Sequence, residues 1–230
     1  MNFDSLGKRL TTNHITITSD EVEKKYRDFS PTMLWAWLER KERASAGQRY
    51  FREKAACQML YPKGLNVPEI LAHDDQRHVL KWRTLELKLT DLVSVLGDPS
   101  THLDDKLVDY RAALELLQGI HRYMPHGDAY LKNFFKPTAD NGRGRIYTCD
   151  FEETRNSPEP GVTDLLIITA NAMSRIGGAH PGQACSALDV VRQVYGNGTS
   201  FPFDARDRFF FRARFGMGED FFRYFSQNGR

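Results

Sequence analysis

Two short stretches hold the side chains that could do chemistry in this 230-residue chain. The first, residues 126–133, reads H-G-D-A-Y-L-K-N and places Asp128 five residues before Asn133. The second reads D-F-E and begins at Asp150, at the end of an apolar run. A carboxylate can accept the proton of an attacking hydroxyl, while an amide oxygen and a second carboxylate can hold magnesium beside a triphosphate. Side chains of these types could therefore take part in phosphoryl transfer from ATP.

The order of these two stretches is typical of kinases. H-x-D-x-x-x-x-N followed by D-F-G is the catalytic and metal-binding pair of protein kinases, and this chain has H-G-D-x-x-x-x-N and D-F-E. The variant resembles the atypical small kinases. That group includes the lipopolysaccharide core heptose and Kdo kinases, the toluene-tolerance proteins, the Rio-like kinases and the aminoglycoside phosphotransferases. The resemblance covers roughly residues 15–173.

The resemblance implies an α+β, two-lobed kinase-like fold with a reduced sheet in the N-lobe and a mainly helical C-lobe. We expect the N-lobe to span residues 1–85 and the C-lobe to span residues 86–230, with the nucleotide cleft between them. ATP and Mg2+ are the implied cofactors, with Asp128 as the base and Asn133 and Asp150 as the Mg2+ ligands. Glu152 replaces the glycine of D-F-G and could add a carboxylate on the metal side.

A kinase also needs a lysine on an N-lobe strand, where it holds the α- and β-phosphates. Residues 14–18 alternate and are rich in β-branched side chains, which predicts a strand, and residues 22–26 are its predicted hairpin partner. Alternation places Lys24 on the same face as Val22 and Tyr26, the apolar side chains expected to face inward. The resemblance therefore assigns the phosphate contact to Lys24, with Lys25 as the alternative.

The lysine of a kinase is oriented by a carboxylate on the helix that follows it. The pattern predicts this helix over about residues 45–60. Phe51 and Met59 share one stripe of the helix, and Glu53 lies in its middle. We expect Glu53 to pair with Lys24 across the cleft.

An amphipathic helix predicted over residues 103–121 organises the C-lobe and leads directly to His126. The resemblance gives His126 a structural role, packed near Phe151, rather than a role in proton transfer. A second, strongly apolar helix is predicted over residues 163–173. Its Asp164 is expected to bind the backbone of the catalytic loop, residues 126–133, although the helix dipole alone also favours an acid there.

Two elements of protein kinases are missing from the sequence. Gly7 is the only glycine before Gly47, so there is no G-x-G-x-x-G loop to cover the phosphates. No A-P-E motif follows the D-F-E stretch, so there is no protein-kinase activation segment. The resemblance favours a sugar acceptor, such as a lipopolysaccharide core sugar or a lipid-linked sugar. Two alternatives stay open: a minimal bacterial protein kinase or effector, and a regulator that binds nucleotide without turnover.

Composition and charge limit the binding partners and the cellular location that we expect for this protein. A net charge of +2 gives no bulk electrostatic support for nucleic acid binding. Three cysteines without C-x-x-C spacing indicate buried thiols in a reducing compartment. The first residues lack a basic region followed by an apolar one, and no apolar run reaches the roughly 18 residues of a membrane helix. We therefore expect a cytoplasmic protein.

The C-terminal stretch is rich in phenylalanine and arginine. Nine of the fifteen phenylalanines lie from Phe201 onward, interleaved with arginines. Such a stretch predicts either an aromatic stripe packed on the C-lobe or peripheral contact with an anionic membrane surface.

Overall fold

The computed structural model describes residues 13–18, 21–26, 44–83, 89–138, 145–151, 159–196 and 200–227. Glu152 and the predicted lobe boundary between residues 85 and 86 lie outside these ranges. The elements, in chain order, are β1 (Asn13–Ile17), β2 (Glu21–Tyr26), α1 (Ala46–Leu60), β3 (Ile70–Asp74), β4 (Val79–Arg83), β5 (Leu89–Asp91), α2 (Leu92–Gly97), α3 (Leu103–His121), β6 (Phe134–Pro137), β7 (Tyr147–Thr148), α4 (Pro160–Ala179), α5 (Ser186–Tyr195), α6 (Ala205–Phe215) and α7 (Glu219–Gln227), with short 3-10 helices at Tyr61–Lys63 and Leu131–Asn133.

The N-terminal part of the chain forms an antiparallel sheet of four strands in the order β1-β2-β4-β3. β2 has neighbours on both sides, with Ile15 and Leu80 opposite Lys24. Tyr26, Leu80 and Trp82 pack against α1 in a small core. Because side chains alternate along a strand, the face of β2 that holds Tyr26 against α1 also carries Lys24.

Helix α1 has the predicted bounds but not the packed face that its apolar side chains suggest. It begins at the N-cap Ser45, which forms a capping box with Gln48. The stripe that contains Phe51 and Met59 is on the outside, where these side chains are 50% and 40% exposed. Glu53 is on the inner face and is fully buried. A charged residue therefore lies at the centre of the packed face, because its partners are on other elements.

Helix α4 is the buried centre of the C-terminal part. Every residue from 163 to 173 is buried, as the apolar sequence predicts. The helix starts earlier than predicted, at Pro160, because proline is well suited to the first turn of a helix. Thr163 is therefore inside the helix, and its hydroxyl donates to the carbonyl of Glu159.

A second sheet, in the order β5-β6-β7, joins the two stretches that hold the candidate residues, 126–133 and the one that begins at Asp150. β6 begins at Phe134, directly after Asn133, and β7 ends at Thr148, two residues before Asp150. Phe134 pairs with Thr148 in the antiparallel register. This pairing holds the end of the first stretch beside the start of the second.

The C-terminal phenylalanines contribute mainly to the core. Seven of them are buried: Phe201, Phe210, Phe211, Phe215, Phe221, Phe222 and Phe225. Phe209 is 59% exposed. The seven buried aromatic side chains pack in the main hydrophobic core, and membrane contact stays a prediction. No helix in the described part of the chain has both the length and the apolar character of a membrane span.

The cysteines are free thiols, but they differ in environment. Cys57 is buried, Cys149 is half-buried and Cys185 is exposed. The prediction of buried thiols is therefore wrong for Cys185, which lies in a surface turn just before α5.

Taken together, the described residues have a small antiparallel sheet followed by a mainly helical part. The predicted α+β class, with a reduced N-terminal sheet and a mainly helical C-terminal part, is confirmed. The lobe boundaries stay a prediction.

Candidate active site

A buried lysine and two carboxylates connect β2, α1 and the segment after β7. Lys24 Nζ lies 2.6 Å from Oε2 of Glu53 and 2.8 Å from Oδ1 of Asp150. The Lys24 side chain is 4% exposed, Glu53 is fully buried and Asp150 is 24% exposed. Lys25, the alternative lysine, is exposed. The expected contact between Lys24 and Glu53 is present, and Lys24 is the lysine that faces Asp150.

The Glu53 carboxylate has two further donors. Its Oε2 also accepts a hydrogen bond from Tyr26 Oη, and its Oε1 accepts one from the backbone N–H of Asp150 at 3.2 Å. An isolated carboxylate would be very unfavourable at a fully buried position. The Lys24 ammonium and these two donors stabilise its charged form. Glu53 therefore fixes the position of β2 and of Asp150 relative to α1.

Asp150 has an unusual backbone conformation. Its φ of 72° lies in the left-handed region, which few non-glycine residues adopt and which is mildly strained. Its N–H is bonded to Glu53 and its carboxylate to Lys24, so both contacts favour this conformation. The direction of the Asp150 carboxylate therefore depends on the same buried pair.

Asp128 and Asn133 form a second pair of candidate residues. Asn133 Nδ2 donates to the backbone carbonyl and to Oδ2 of Asp128, both at 2.8 Å. These bonds use the amide nitrogen, so the amide oxygen is the Asn133 atom suited to a metal ion. The backbone carbonyl of Asn133 accepts from the N–H of Cys149 at 3.2 Å. Because Cys149 precedes Asp150, all five candidate residues belong to one bonded network.

His126 packs against this network, between the rings of Phe134 and Phe151. Its ring is fully buried and lies 5.4 Å from the Phe134 ring and 4.5 Å from the Phe151 ring. Burial lowers the pKa of His126 below its ordinary value, although nearby carboxylates oppose the shift. The contact with Phe151 is the one expected from the sequence.

The hydrogen bonds of His126 define its tautomer. Thr148 Oγ1 donates its single proton to the carbonyl of Asn133 at 2.9 Å. Thr148 must then accept from Nε2–H of His126, which lies 2.8 Å away. The unprotonated Nδ1 is left to accept the N–H of Asp128, at 3.4 Å. Neutral His126 therefore contacts the Asp128 backbone through Nδ1, and through Nε2 it contacts the Thr148 hydroxyl that is bonded to the Asn133 carbonyl.

Asp164 holds the start of the catalytic loop. Its carboxylate accepts from the N–H of His126 at 2.7 Å and from the N–H of Gly127 at 3.1 Å. The contact predicted for Asp164 is therefore present. Gly127 has a φ of 86°, so a glycine is needed where the chain turns toward Asp128.

Three residues that contact the candidates were not singled out by the sequence analysis. Tyr26 contacts Glu53, and its inward position on β2 could have revealed it. Lys132 lies 3.4 Å from Oδ2 of Asp128, a contact that their four-residue spacing could have suggested. Thr148 had no such signal, because its role depends on the pairing of β6 with β7.

The donor atoms of this site suit Mg2+ bound together with a nucleotide. Among the described residues, no group of three or more His, Cys, Asp or Glu could hold a metal ion by itself. Mg2+ prefers oxygen ligands, and is commonly held by one or two carboxylates together with phosphates and waters. The Asp150 carboxylate and the Asn133 amide oxygen are donors of this kind. These residues would hold the ion, which when bound would neutralise phosphate charge.

The contacts of Lys24 with Glu53 and Asp150 are those that the sequence predicts for a kinase-like site. No protein-family model matches the chain, and no curated protein matches it. Solved structures do match. One is Rio2 kinase from Chaetomium thermophilum in a complex with ADP, Mg2+ and phosphoaspartate, at 14% identity and a TM-score of 0.46, covering 98% of this chain and 72% of that one.

Two further solved structures are similar. A second Rio2 kinase structure from Chaetomium thermophilum has 16% identity and a TM-score of 0.40, with 98% of this chain and 74% of that chain covered. The kinase domain of PknI from Mycobacterium tuberculosis has 14% identity and a TM-score of 0.45, with 97% and 98% covered. At these identities the chemistry of this chain has to be inferred from its own residues.

Proposed function

We propose that this protein is an ATP- and Mg2+-dependent phosphotransferase that moves the γ-phosphoryl group to a hydroxyl. The observation that supports it most is the contact of buried Lys24 with both Glu53 and Asp150. A triphosphate needs a fixed cation beside a metal-binding carboxylate. A solvated surface lysine would be a poor substitute, because its position is not fixed.

In the proposed reaction, the acceptor oxygen attacks the γ-phosphorus while the bond from that phosphorus to the β–γ bridging oxygen breaks. ADP leaves, and Asp128 takes or orients the proton of the acceptor hydroxyl. The bond from Asn133 Nδ2 to Asp128 Oδ2 limits rotation of the carboxylate. Asn133 and Asp150 are the proposed Mg2+ ligands, and Lys24 is the proposed phosphate ligand.

Lys24 would change partners when nucleotide binds. Its ammonium is shared between Glu53 and Asp150 in the described structure. An α- or β-phosphate oxygen could replace Asp150 as a partner of Lys24, while Glu53 stays in place. That exchange would leave the Asp150 carboxylate available to bind Mg2+. We therefore expect nucleotide and metal to bind cooperatively.

For the acceptor, we propose a sugar hydroxyl, on the resemblance of the motifs to the lipopolysaccharide-sugar kinases. A protein hydroxyl is the alternative, and we propose a cytoplasmic location. If the protein also contacts a membrane, exposed Phe209 and the nearby arginines are the side chains available for it. ATP turnover measured with a panel of core sugars, lipid-linked sugars and proteins would identify the acceptor class.

A nucleotide-binding regulator is the second candidate. The lack of a glycine-rich sequence before Gly47 favours it, because fewer backbone donors are then available to hold the phosphates during transfer. Measurable γ-phosphoryl transfer to any acceptor, water included, would exclude this candidate.

Calorimetric titration with ATP tests the main proposal. We expect weak binding without Mg2+ and tighter binding with it. Asp150→Asn should lose the effect of Mg2+, whereas Asp128→Asn should bind Mg-ATP nearly as well as the wild type but abolish turnover. Asp104→Asn, at an exposed position in the first turn of α3, is the matched control. Equal loss of affinity in the Asp150 and Asp128 variants would refute the division of roles.

A further inference from the structure

Tyr26 is buried at the end of β2, two residues after Lys24. Its backbone N–H donates to the carbonyl of His78 at 3.1 Å. Its ring packs edge-on against the ring of Tyr50, with the two ring centres 5.6 Å apart. These backbone and ring contacts fix the position of the Tyr26 side chain, and with it the position of the hydroxyl.

Tyr26 contacts both members of the Lys24–Glu53 pair. Its hydroxyl donates to Oε2 of Glu53, which is the oxygen that also accepts from Lys24. The centre of its ring lies 5.0 Å from Lys24 Nζ, within the range at which an aromatic ring attracts a cation. The centre of the Trp82 ring lies 5.7 Å from the same Nζ. The Lys24 ammonium is therefore flanked by two aromatic rings, and it donates to Glu53 and Asp150.

Packing alone explains the ring of Tyr26 but not its hydroxyl. A phenylalanine ring would fill nearly the same space in the small core between the sheet and α1. Glu53 already accepts from Lys24 and from the N–H of Asp150, so the hydroxyl is a third donor to one carboxylate. When nucleotide binds, the Lys24 ammonium would be shared with a phosphate. The neutral Tyr26 hydroxyl would keep its bond to Glu53.

We propose that Tyr26 is a positioning residue for nucleotide, whose hydroxyl fixes Glu53 so that Lys24 is directed toward the α- and β-phosphates. The inference rests on the proposed function. A long side chain such as glutamate loses rotamer freedom when it is fixed, and a bond within the protein removes that cost from nucleotide binding. Because the sequence has no G-x-G-x-x-G loop, Lys24 would carry a larger share of the phosphate contacts, and its direction would matter more.

Nucleotide titrations of Tyr26→Phe test this proposal without depending on turnover. We would titrate ADP with Mg2+, and separately adenosine, into the wild type and the variant. Tyr26→Phe should bind Mg-ADP about tenfold more weakly, the effect of losing one hydrogen bond to a charged group. Its affinity for adenosine should change less than about twofold, because adenosine has no phosphate for Lys24 to contact. Circular dichroism should show the variant folded, since the ring and two donors to Glu53 remain.

Two further variants separate positioning from packing. Tyr50→Phe is the matched control, because Tyr50 is fully buried in the same small core and its hydroxyl donates to Asp75. It should bind Mg-ADP like the wild type. Lys24→Met removes the proposed phosphate contact, so adding Tyr26→Phe to it should weaken Mg-ADP no further. The comparison of Tyr26→Phe with Tyr50→Phe tests the proposal even if Lys24→Met is too unstable to titrate.

The outcomes separate the inference from the proposed function. If the wild type binds Mg-ADP and Tyr26→Phe binds it equally well, the inference is refuted. An equal loss for Mg-ADP and adenosine, or the same loss in Tyr50→Phe, would assign Tyr26 a packing role only and would also refute it. A further loss of Mg-ADP affinity on top of Lys24→Met would have the same meaning. If the wild type does not bind Mg-ADP, the proposed function itself fails.

Discussion

Removing either member of the Lys24–Glu53 pair should destabilise the protein strongly, and removing both should cost much less than the sum. The substitutions are Lys24→Met and Glu53→Gln, which keep the approximate size of each side chain. Each leaves a buried polar group without its main charge partner, because Lys24 is 4% exposed and Glu53 is fully buried. The double variant leaves neither charge behind.

The magnitude follows from the distance and the burial. At 2.6 Å, Coulomb attraction is ~6 kcal/mol with an effective dielectric constant of about 20. Desolvation of the two ions, several kcal/mol each, offsets most of this, whereas leaving one charge behind costs about 3–5 kcal/mol. We expect ~3 kcal/mol for each single variant, because Asp150 still contacts Lys24, and Tyr26 still donates to Glu53. The double variant should be more stable than the sum predicts by about 2 kcal/mol.

Urea denaturation followed by circular dichroism would measure these free energies of unfolding. Lys25→Met is the matched control, since Lys25 is the next residue on the same strand and is exposed. Its effect should lie within about 0.5 kcal/mol of zero. Additive losses in the double variant, or a Lys25→Met effect as large as that of Lys24→Met, would show that the pair is not the energetic unit described above.

Three further predictions concern the catalytic loop. The lowered pKa of His126 means that the unfolded chain takes up a proton before the native one does as pH falls below about 6.5. Stability should therefore decrease on acidification by up to ~1.4 kcal/mol per pH unit until the native pKa is reached, and His126→Gln should flatten this part of a stability-versus-pH curve. Gly127→Ala should cost ~1–2 kcal/mol in denaturation experiments because of its left-handed φ, whereas Gly97→Ala, within α2, should not destabilise. Asp164→Ala should cost more than Gly127→Ala, because it leaves two buried N–H groups without their acceptor; unchanged urea midpoints would contradict that assignment.

A local pattern in the sequence is sufficient to place Lys24, whereas the inward position of Glu53 follows only from the family resemblance. Alternation on β2 puts Lys24 with Tyr26, and this needs no knowledge of the rest of the fold. The bounds of α1 follow from a cap and a helical period. Its packed face does not, because Phe51 and Met59 look like core residues and are exposed. The inner face is defined by the partners of Glu53, which come from β2 and from the segment after β7.

The pattern of residues 145–149 predicts a strand paired with the one after Asn133, but it does not predict the side-chain contacts between the two candidate stretches. Thr148 contacts both His126 and the carbonyl of Asn133, and it can do so only because β6 pairs with β7. The register of that pairing, with Phe134 opposite Thr148, does not follow from residue types. The spacing of Asp128, Asn133 and Asp150 is typical of phosphoryl transfer. It does not predict the contact between Asp150 and Lys24.

The network also explains how a nucleotide site could form without a glycine-rich loop. In the described structure, Glu53 already holds Lys24 on one oxygen and the backbone of Asp150 on the other. Lys24 and the candidate metal ligand are thus held by contacts within the protein, which would reduce the ordering that nucleotide binding requires. Lys24 is the cation beside the Asp150 carboxylate. A nucleotide that bound Lys24 without Mg2+ would leave that carboxylate without its cation. Mg2+ would supply the replacement charge, so metal and nucleotide should favour each other's binding.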